Sequence, residues 1–338
     1  MRLENVLALT HGSLVNEPFV KLFTNVVYEA KAVKRGDLFM AFDELTIEDA
    51  ILNGAYGIIF SKPTQISDSE IAWIKVQSID DALKRLLRFR LIEKEIKVYQ
   101  TNEIVLKLAL QVVTEPTFIA IEGDIREVSK QLWDVEKSSS ILFCPTLADK
   151  DLFTNIIELS NTNNEDINIV EQTLFETSFI YDDIFYERQL LSPFFIPFLE
   201  ILLQLFKNLK INYRLRKFTP IDHFEAIFTN KKFEIKEFGT SDKVLIFEKN
   251  SALMESAINF LKNEATWAKI LYVLPFVDEN LTQKIENRDD LIIYKNKNEI
   301  INLLQGKQFH FALIIGADKE ILNRPVVNQA QISLFDFE

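Results

Sequence analysis

At 338 residues the chain is long enough for two or three compact domains, and 48% hydrophobic with 26% charged residues is the composition of a folded globular protein. Asp plus Glu at 50 against Lys plus Arg at 38 leaves a net charge of -12, which argues against direct nucleic-acid binding, because duplex recognition rests on neutralising phosphates. The single cysteine, Cys144, excludes a disulfide framework and a thiolate metal cluster and suits a reducing, cytoplasmic setting.

Glu4 and Asn5 interrupt the apolar run that an export signal needs at the N-terminus. From Asn25 to Phe60 the pattern reads strand, turn, strand, helix, strand: V-V-Y, K-R-G-D, L-F-M-A-F, a helix from Ile47 to Asn53, then Y-G-I-I-F. Lys75 and Val76 extend a further strand. An amphipathic helix runs from Asp80 to Leu91 with Asp80 or Asp81 at its start, closing a first domain at residues 1–92.

The stretch from Lys97 to Val113 then sets the central question. Val98 and Tyr99 are β-prone, Gln100 to Glu103 form a polar turn, and Ile104, Leu106, Leu108 and Leu110 mark a helix. A nucleotide-binding domain carries its phosphate loop at such a junction, built from glycines, a lysine and a hydroxyl for the metal. Gln100, Glu103 and Ile104 stand here instead, and a carboxylate repels phosphate.

The runs A-V-K-R-G-D-L-F-M-A-F and E-D-A-I-L-N-G-A-Y-G-I-I-F-S-K resemble the N-terminal domain of the Mur ligases, especially those that add the third residue or the terminal dipeptide to the muramyl peptide. The resemblance extends from Asn25 to about Ile315. It implies that Glu29 and Lys31, with Ala30 between them, match the family's D-S-R triplet for the uridine nucleotide. Lys34 and Asp37 of the next turn are further candidate contacts. A lysine lacks the bidentate fork of the arginine it replaces.

In the same comparison Thr101 and Asn102 remain from T-G-T-N-G-K-T-T. Gln100 and Glu103 replace its glycines, Ile104 its lysine, and Val105 and Leu106 its hydroxyls. Glu122, in F-I-A-I-E-G-D, takes the place of a magnesium ligand, and Asp149 corresponds to the family's histidine; alone they would hold a metal weakly. The excursion between the phosphate-loop helix and the Glu122 strand is cut to Leu110–Phe118. Asn161 to Asp166 and Tyr181 to Glu187 read as loops, and an apolar helix spans Phe194 to Leu209, interrupted by Pro197, Glu200, Gln204 and Lys207 and too short for a membrane.

T-P-I-D-H-F-E-A-I resembles the family's P-x-G-R-x-E entry to its C-terminal domain, with His223 at the arginine. Strands at 244–247, 270–274, 291–294 and 309–315 alternate with helices at 251–261, 278–285 and 299–304, a doubly wound pattern. Glu248, Lys249 and Asn250 form a shortened loop after the first of these strands. His11, His223 and His310 show no ligand spacing, and no hydrolase or zinc motif appears.

The chain is therefore expected to be an α/β protein of three-domain Mur-ligase-like architecture: residues 1–92, a pruned central domain at 93–217, a Rossmann-like domain at 218–324, and a tail at 325–338. The tail carries Gln331, Ile332, Ser333, Leu334 and Phe335, which resemble the bacterial sliding-clamp binding motif. The implied function is that of a non-catalytic binding or scaffold protein connected with peptidoglycan precursor synthesis, with a sliding-clamp-associated interaction protein acting through its tail as the alternative. No cofactor is expected. A protein partner (the sliding clamp or a cell-wall enzyme) and a UDP-linked precursor are the candidate partners, and a residual ATP-dependent ligase is the enzymatic alternative.

Overall fold

Leu38–Met40 and Gly57–Phe60 are apolar at nearly every position, the mark of strands covered on both faces, and they lie side by side in a parallel sheet. The computed structural model describes residues 1–159, 166–215, 217–237, 239–276 and 288–323. In it they are β3 and β4 of a sheet with β1 (Ser13–Leu14), β2 (Val26–Val27) and β5 (Ala72–Lys75), in the order β1-β5-β4-β3-β2 with only β1 antiparallel. Gly57 is required there: a Cβ would lie 2.6 Å from the ring of Phe23 and 2.9 Å from Leu38.

Helix α1 (Leu3–Thr10) precedes the sheet and was not marked by the sequence pattern. Helix α2 (Ile47–Leu52) falls where expected. Helix α3 runs from Ile79 to Glu93 and is capped by Ser78, whose Oγ accepts from the Asp81 amide at 3.1 Å. Asp80 and Asp81 are thus first-turn residues near the positive end of the helix dipole, and the expected start is corrected to Ile79 with Ser78 as its cap.

A second sheet is wholly parallel: β6 (Lys97–Gln100), β7 (Phe118–Ile121), β8 (Ser140–Phe143) and β9 (Ile156–Glu158), in the order β7-β8-β6-β9. Helices α4 (Glu103–Val112) and α5 (Ile125–Leu132) accompany it. Leu38, Ile59 and Ile74 of the first sheet share one core with Val98, Ile121 and Ile141 of the second and with Leu83 and Leu87 of α3. Contacts accordingly gather Met1–Asn161 with Leu205–Arg214 into one compact unit, and Thr162–Gln204 with Leu215–Glu338 into another. The contacts divide at 214/215, three residues before the expected break at 217/218, and do not divide at 92/93.

In the second unit β10 (Asn168–Gln172), β11 (Thr177–Tyr181) and β12 (Ile184–Gln189) form an antiparallel sheet. The stretch Tyr181 to Glu187, expected as a loop, is therefore a hairpin whose turn is only Asp182–Asp183. Both have left-handed φ, 53° and 61°, which aspartate tolerates and which two-residue hairpins need. The apolar segment supplies α6 (Ile196–Leu209) after a single turn at Pro193–Phe195. Among the described residues no helix is long and apolar enough to cross a membrane.

The doubly wound pattern is realised as β13 (Glu225–Thr229), β14 (Lys243–Glu248), β15 (Ile270–Leu274), β16 (Leu291–Ile293) and β17 (Phe311–Ile315), with α7 (Met254–Glu264) and α8 (Ile300–Leu304). The order is β13-β14-β17-β15-β16, parallel except for β13. Glu248, assigned to a loop by the sequence pattern, is instead the last residue of β14 and is fully buried. The expected helix at 278–285, the loop at 161–165 and the whole tail lie outside the described residues.

Candidate functional site

The junction of β6 and α4 is a strand, a two-residue turn and a helix. Thr101 donates its amide to the Phe143 carbonyl of β8 at 2.9 Å, and Asn102 caps the helix, its Oδ1 accepting from the Val105 amide at 3.0 Å. Gln100 is the last residue of β6, with its side chain 3.4 Å from Glu158, so the polar turn is shorter than the expected Gln100–Glu103. Glu103 opens the helix, where its own carboxylate complements the positive helix end. Ile104 is 1% exposed, and Val105 and Leu106 are as deeply buried. The helix start is thus occupied by a side-chain cap, a carboxylate and core residues, and no lysine stands at the position where phosphate chemistry needs one.

Lys107, one turn farther along α4, is instead paired with Glu122 at 2.6 Å. Glu122 ends in the turn before α5, where Gly123 has φ +118° and a Cβ would lie 2.1 Å from Glu127 Oε2. That oxygen belongs to a capping box closed by Asp124 and Glu127. Asp149 is held by Lys84 at 2.5 Å; burial pushes its carboxyl up, but the Lys84 ammonium and the Asp151 amide bring it net below the usual carboxylate range. Both acids offered as metal ligands are therefore committed to lysines, and among the described residues no three His, Cys, Asp or Glu gather into a possible metal group.

Of the candidate precursor contacts Glu29, Lys31, Lys34 and Asp37, only Glu29 lines the cleft described below. Asp37 is buried and its Oδ2 accepts from the Lys34 amide at 2.9 Å, so the K-R-G-D turn uses this carboxylate to hold itself together. Asp37 is a turn residue, not an available ligand contact. Lys31 is exposed in the single turn Ala30–Ala32. Glu29 lies on a cleft of 260 Å³ with Asn25, Tyr28, Lys130, Trp133 and Asp134. Lys130 of α5 meets Glu29 at 2.8 Å and holds its carboxyl below the usual range. Trp133 Nε1 donates to Asn25 Oδ1 at 2.7 Å, and the Arg90 guanidinium lies 5.1 Å from the indole centre. This half-polar, ring-walled cleft joins Glu29 to residues that no local pattern had singled out.

In the second unit His223, which the sequence resemblance sets against the family's arginine, is buried at 1% exposure beside Glu248 at 0%. Its Nδ1 lies 2.9 Å from Glu248 Oε1, and the same carboxylate accepts from the amides of Phe224 at 3.0 Å and Asn250 at 2.8 Å. A histidine so held ties the chain leading into β13 to the end of β14. A cavity of 420 Å³ opens beside it, walled by Phe175, Phe195, Phe224, Ile227 and Phe228. Neither the pair nor the cavity is legible from spacing; the sequence signal is only a histidine before one strand and a glutamate at the end of another.

No protein-family model matches the sequence, and no curated protein sequence matches it. Solved structures do. MurF from Acinetobacter baumannii superposes with a TM-score of 0.50 at 11% identity, over 96% of this chain and 99% of that one. The chain has the fold of the Mur ligases. A second A. baumannii structure, UDP-N-acetylmuramoylalanyl-D-glutamyl-2,6-diaminopimelate–D-alanyl-D-alanyl ligase, gives a TM-score of 0.47 at 12% identity over 95% and 97% of the two chains. MurF ligase from Thermotoga maritima in complex with ADP gives 0.47 at 12% over 88% and 94%. The junction that the sequence resemblance sets against the family's phosphate loop carries the cap, carboxylate and isoleucine described above.

Proposed function

We propose that this chain is a Mur-ligase-fold protein that binds without joining: a non-catalytic scaffold or binding protein connected with peptidoglycan precursor synthesis. The observation that carries the reading is the β6–α4 junction. Transferring a phosphoryl group needs preorganised positive charge at that helix start, and the loss of such stabilisation removes several kcal/mol from the transition state. Asn102 occupies an amide that a phosphate would use, and Ile104 is part of the core.

What survives for binding in the first unit is the cleft with Glu29, Lys130 and Trp133. A UDP-linked precursor held there would be bound weakly, since Asp37 is closed on its own turn and Lys31 is not part of the cleft's lining. The test uses the full chain. Calorimetry with ATP and magnesium should show no binding at micromolar concentration and no amino-acid-dependent phosphate release, while a uridine-linked precursor should shift Trp133 and Lys130 resonances. Micromolar ATP binding would return the chain to the ligases.

A second reading rests on the tail residues Gln331–Phe335, which lie outside the described residues. Under it the working part is a peptide for the sliding clamp or a similar groove, with Leu334 and Phe335 as anchors. A peptide of residues 327–338 titrated against purified clamp should bind in the micromolar range, about -8 kcal/mol. No binding would leave the precursor-linked reading alone.

A further inference from the structure

The cavity of the second unit plays no part in the function proposed above. Its 420 Å³ is within the range that encloses a drug-sized organic molecule, and its body is apolar, with the rings of Phe175, Phe195, Phe224 and Phe228 on the wall. The rings are braced by one another and by neighbouring rings. Phe224 stacks on Phe194 at 4.7 Å and meets Phe260 edge-on at 5.4 Å, while Phe175 is braced by Phe228 at 5.8 Å and Phe311 at 6.3 Å. A wall so preorganised loses little freedom when a ligand enters.

The polar residues on the wall are Glu176, Ser192, His223 and Glu225, and His223 is tied through Nδ1 to Glu248 at 2.9 Å. Ser192 Oγ is used internally, donating to the Leu174 carbonyl at 2.7 Å and accepting from the Phe194 amide at 3.2 Å. Glu225 is matched by Lys319 at 2.7 Å. Glu176 is half-buried, and its carboxylate has no cationic partner among the described residues. An unmatched carboxylate on the wall of an aromatic-lined cavity repels an anion and attracts a cation, and any ring that presents its face to that cation adds to the attraction. We propose that this cavity binds an organic cation with an apolar body, a substituted ammonium whose charge faces Glu176 while its body lies against the phenylalanines.

The experiment titrates the full-length protein, by ligand-observed NMR, with benzyltrimethylammonium, its neutral isostere neopentylbenzene, and phenylacetate. The cation should bind saturably and about fivefold or more tighter than the neutral compound, and phenylacetate should not bind. Glu176→Gln should bring the cation to within about twofold of the neutral compound without changing the neutral compound's binding. Ile227→Trp, which fills the cavity, should remove both; if its melt shows that it does not fold, Leu190→Trp at the exposed end of the wall replaces it. Equal binding of the cation and its isostere, a cation affinity untouched by Glu176→Gln, or no saturable binding of any probe would overturn the proposal.

Discussion

Ile104→Lys would restore the phosphate-loop lysine by name, and the structure says it should damage the fold without creating a site. Ile104 is 1% exposed in the first turn of α4, flanked by the equally buried Val105 and Leu106. Removing the isoleucine from the core forfeits about 2 kcal/mol of burial. The incoming ammonium must then be buried without a partner, at a cost of several kcal/mol, or reach the surface by withdrawing its stem from the core. Its charge also opposes the helix dipole by about 0.5 kcal/mol. The sum is a destabilisation of about 3–5 kcal/mol, against about 1 kcal/mol for the volume-conserving Ile104→Met. Since the chain forms two units, hydrogen exchange of the α4 amides reads the effect better than a single melting temperature. If Ile104→Lys exchanged as slowly as the parent and gained micromolar ATP binding, the helix start would be an open phosphate site, and the argument from Ile104 would be wrong.

Glu248→Ala leaves three donors, His223 Nδ1 and the amides of Phe224 and Asn250, without their buried acceptor and should cost about 3–5 kcal/mol, seen as faster exchange in β14 and β17 with α4 unaffected. The Asp149 carboxyl sits below its ordinary range in the folded protein, so the stability it contributes is present above the unfolded-state value and is lost as pH falls through the folded one. Lys84→Met should raise that titration in a carboxyl NMR experiment and flatten the acid limb of stability; an unmoved titration would mean that the 2.5 Å contact does not set it. Gly57→Ala forces a methyl against Phe23 and Leu38 within a parallel strand and should cost about 1–3 kcal/mol in urea unfolding, where Ala at an exposed strand position would cost little.

Several elements were legible in the sequence because their determinants are local. The strand, turn and helix from Lys97 to Val113 follow from a β-prone pair, a polar break and a helical period, and the absence of glycine and lysine from that turn is visible without coordinates. The strands from β14 to β17 were likewise readable as apolar runs between turns. The hairpin of β11 and β12 was not, since Asp182–Asp183 reads as a polar loop until strand pairing requires two left-handed residues. Nor was the joining of the first two sheets, because nothing local shows that Leu38 and Val98 share a core. The pairing of charges lay farthest from view. Lys130 reaches Glu29 across 101 residues, Lys84 reaches Asp149 across 65, Glu248 meets His223 across 25, and each removes a candidate ligand from use or builds a cleft around it. Residue type and spacing determine which helices and strands can form; which charge meets which is settled only when distant segments close on one another, because electrostatic pairing depends on separation in space and on exclusion of water.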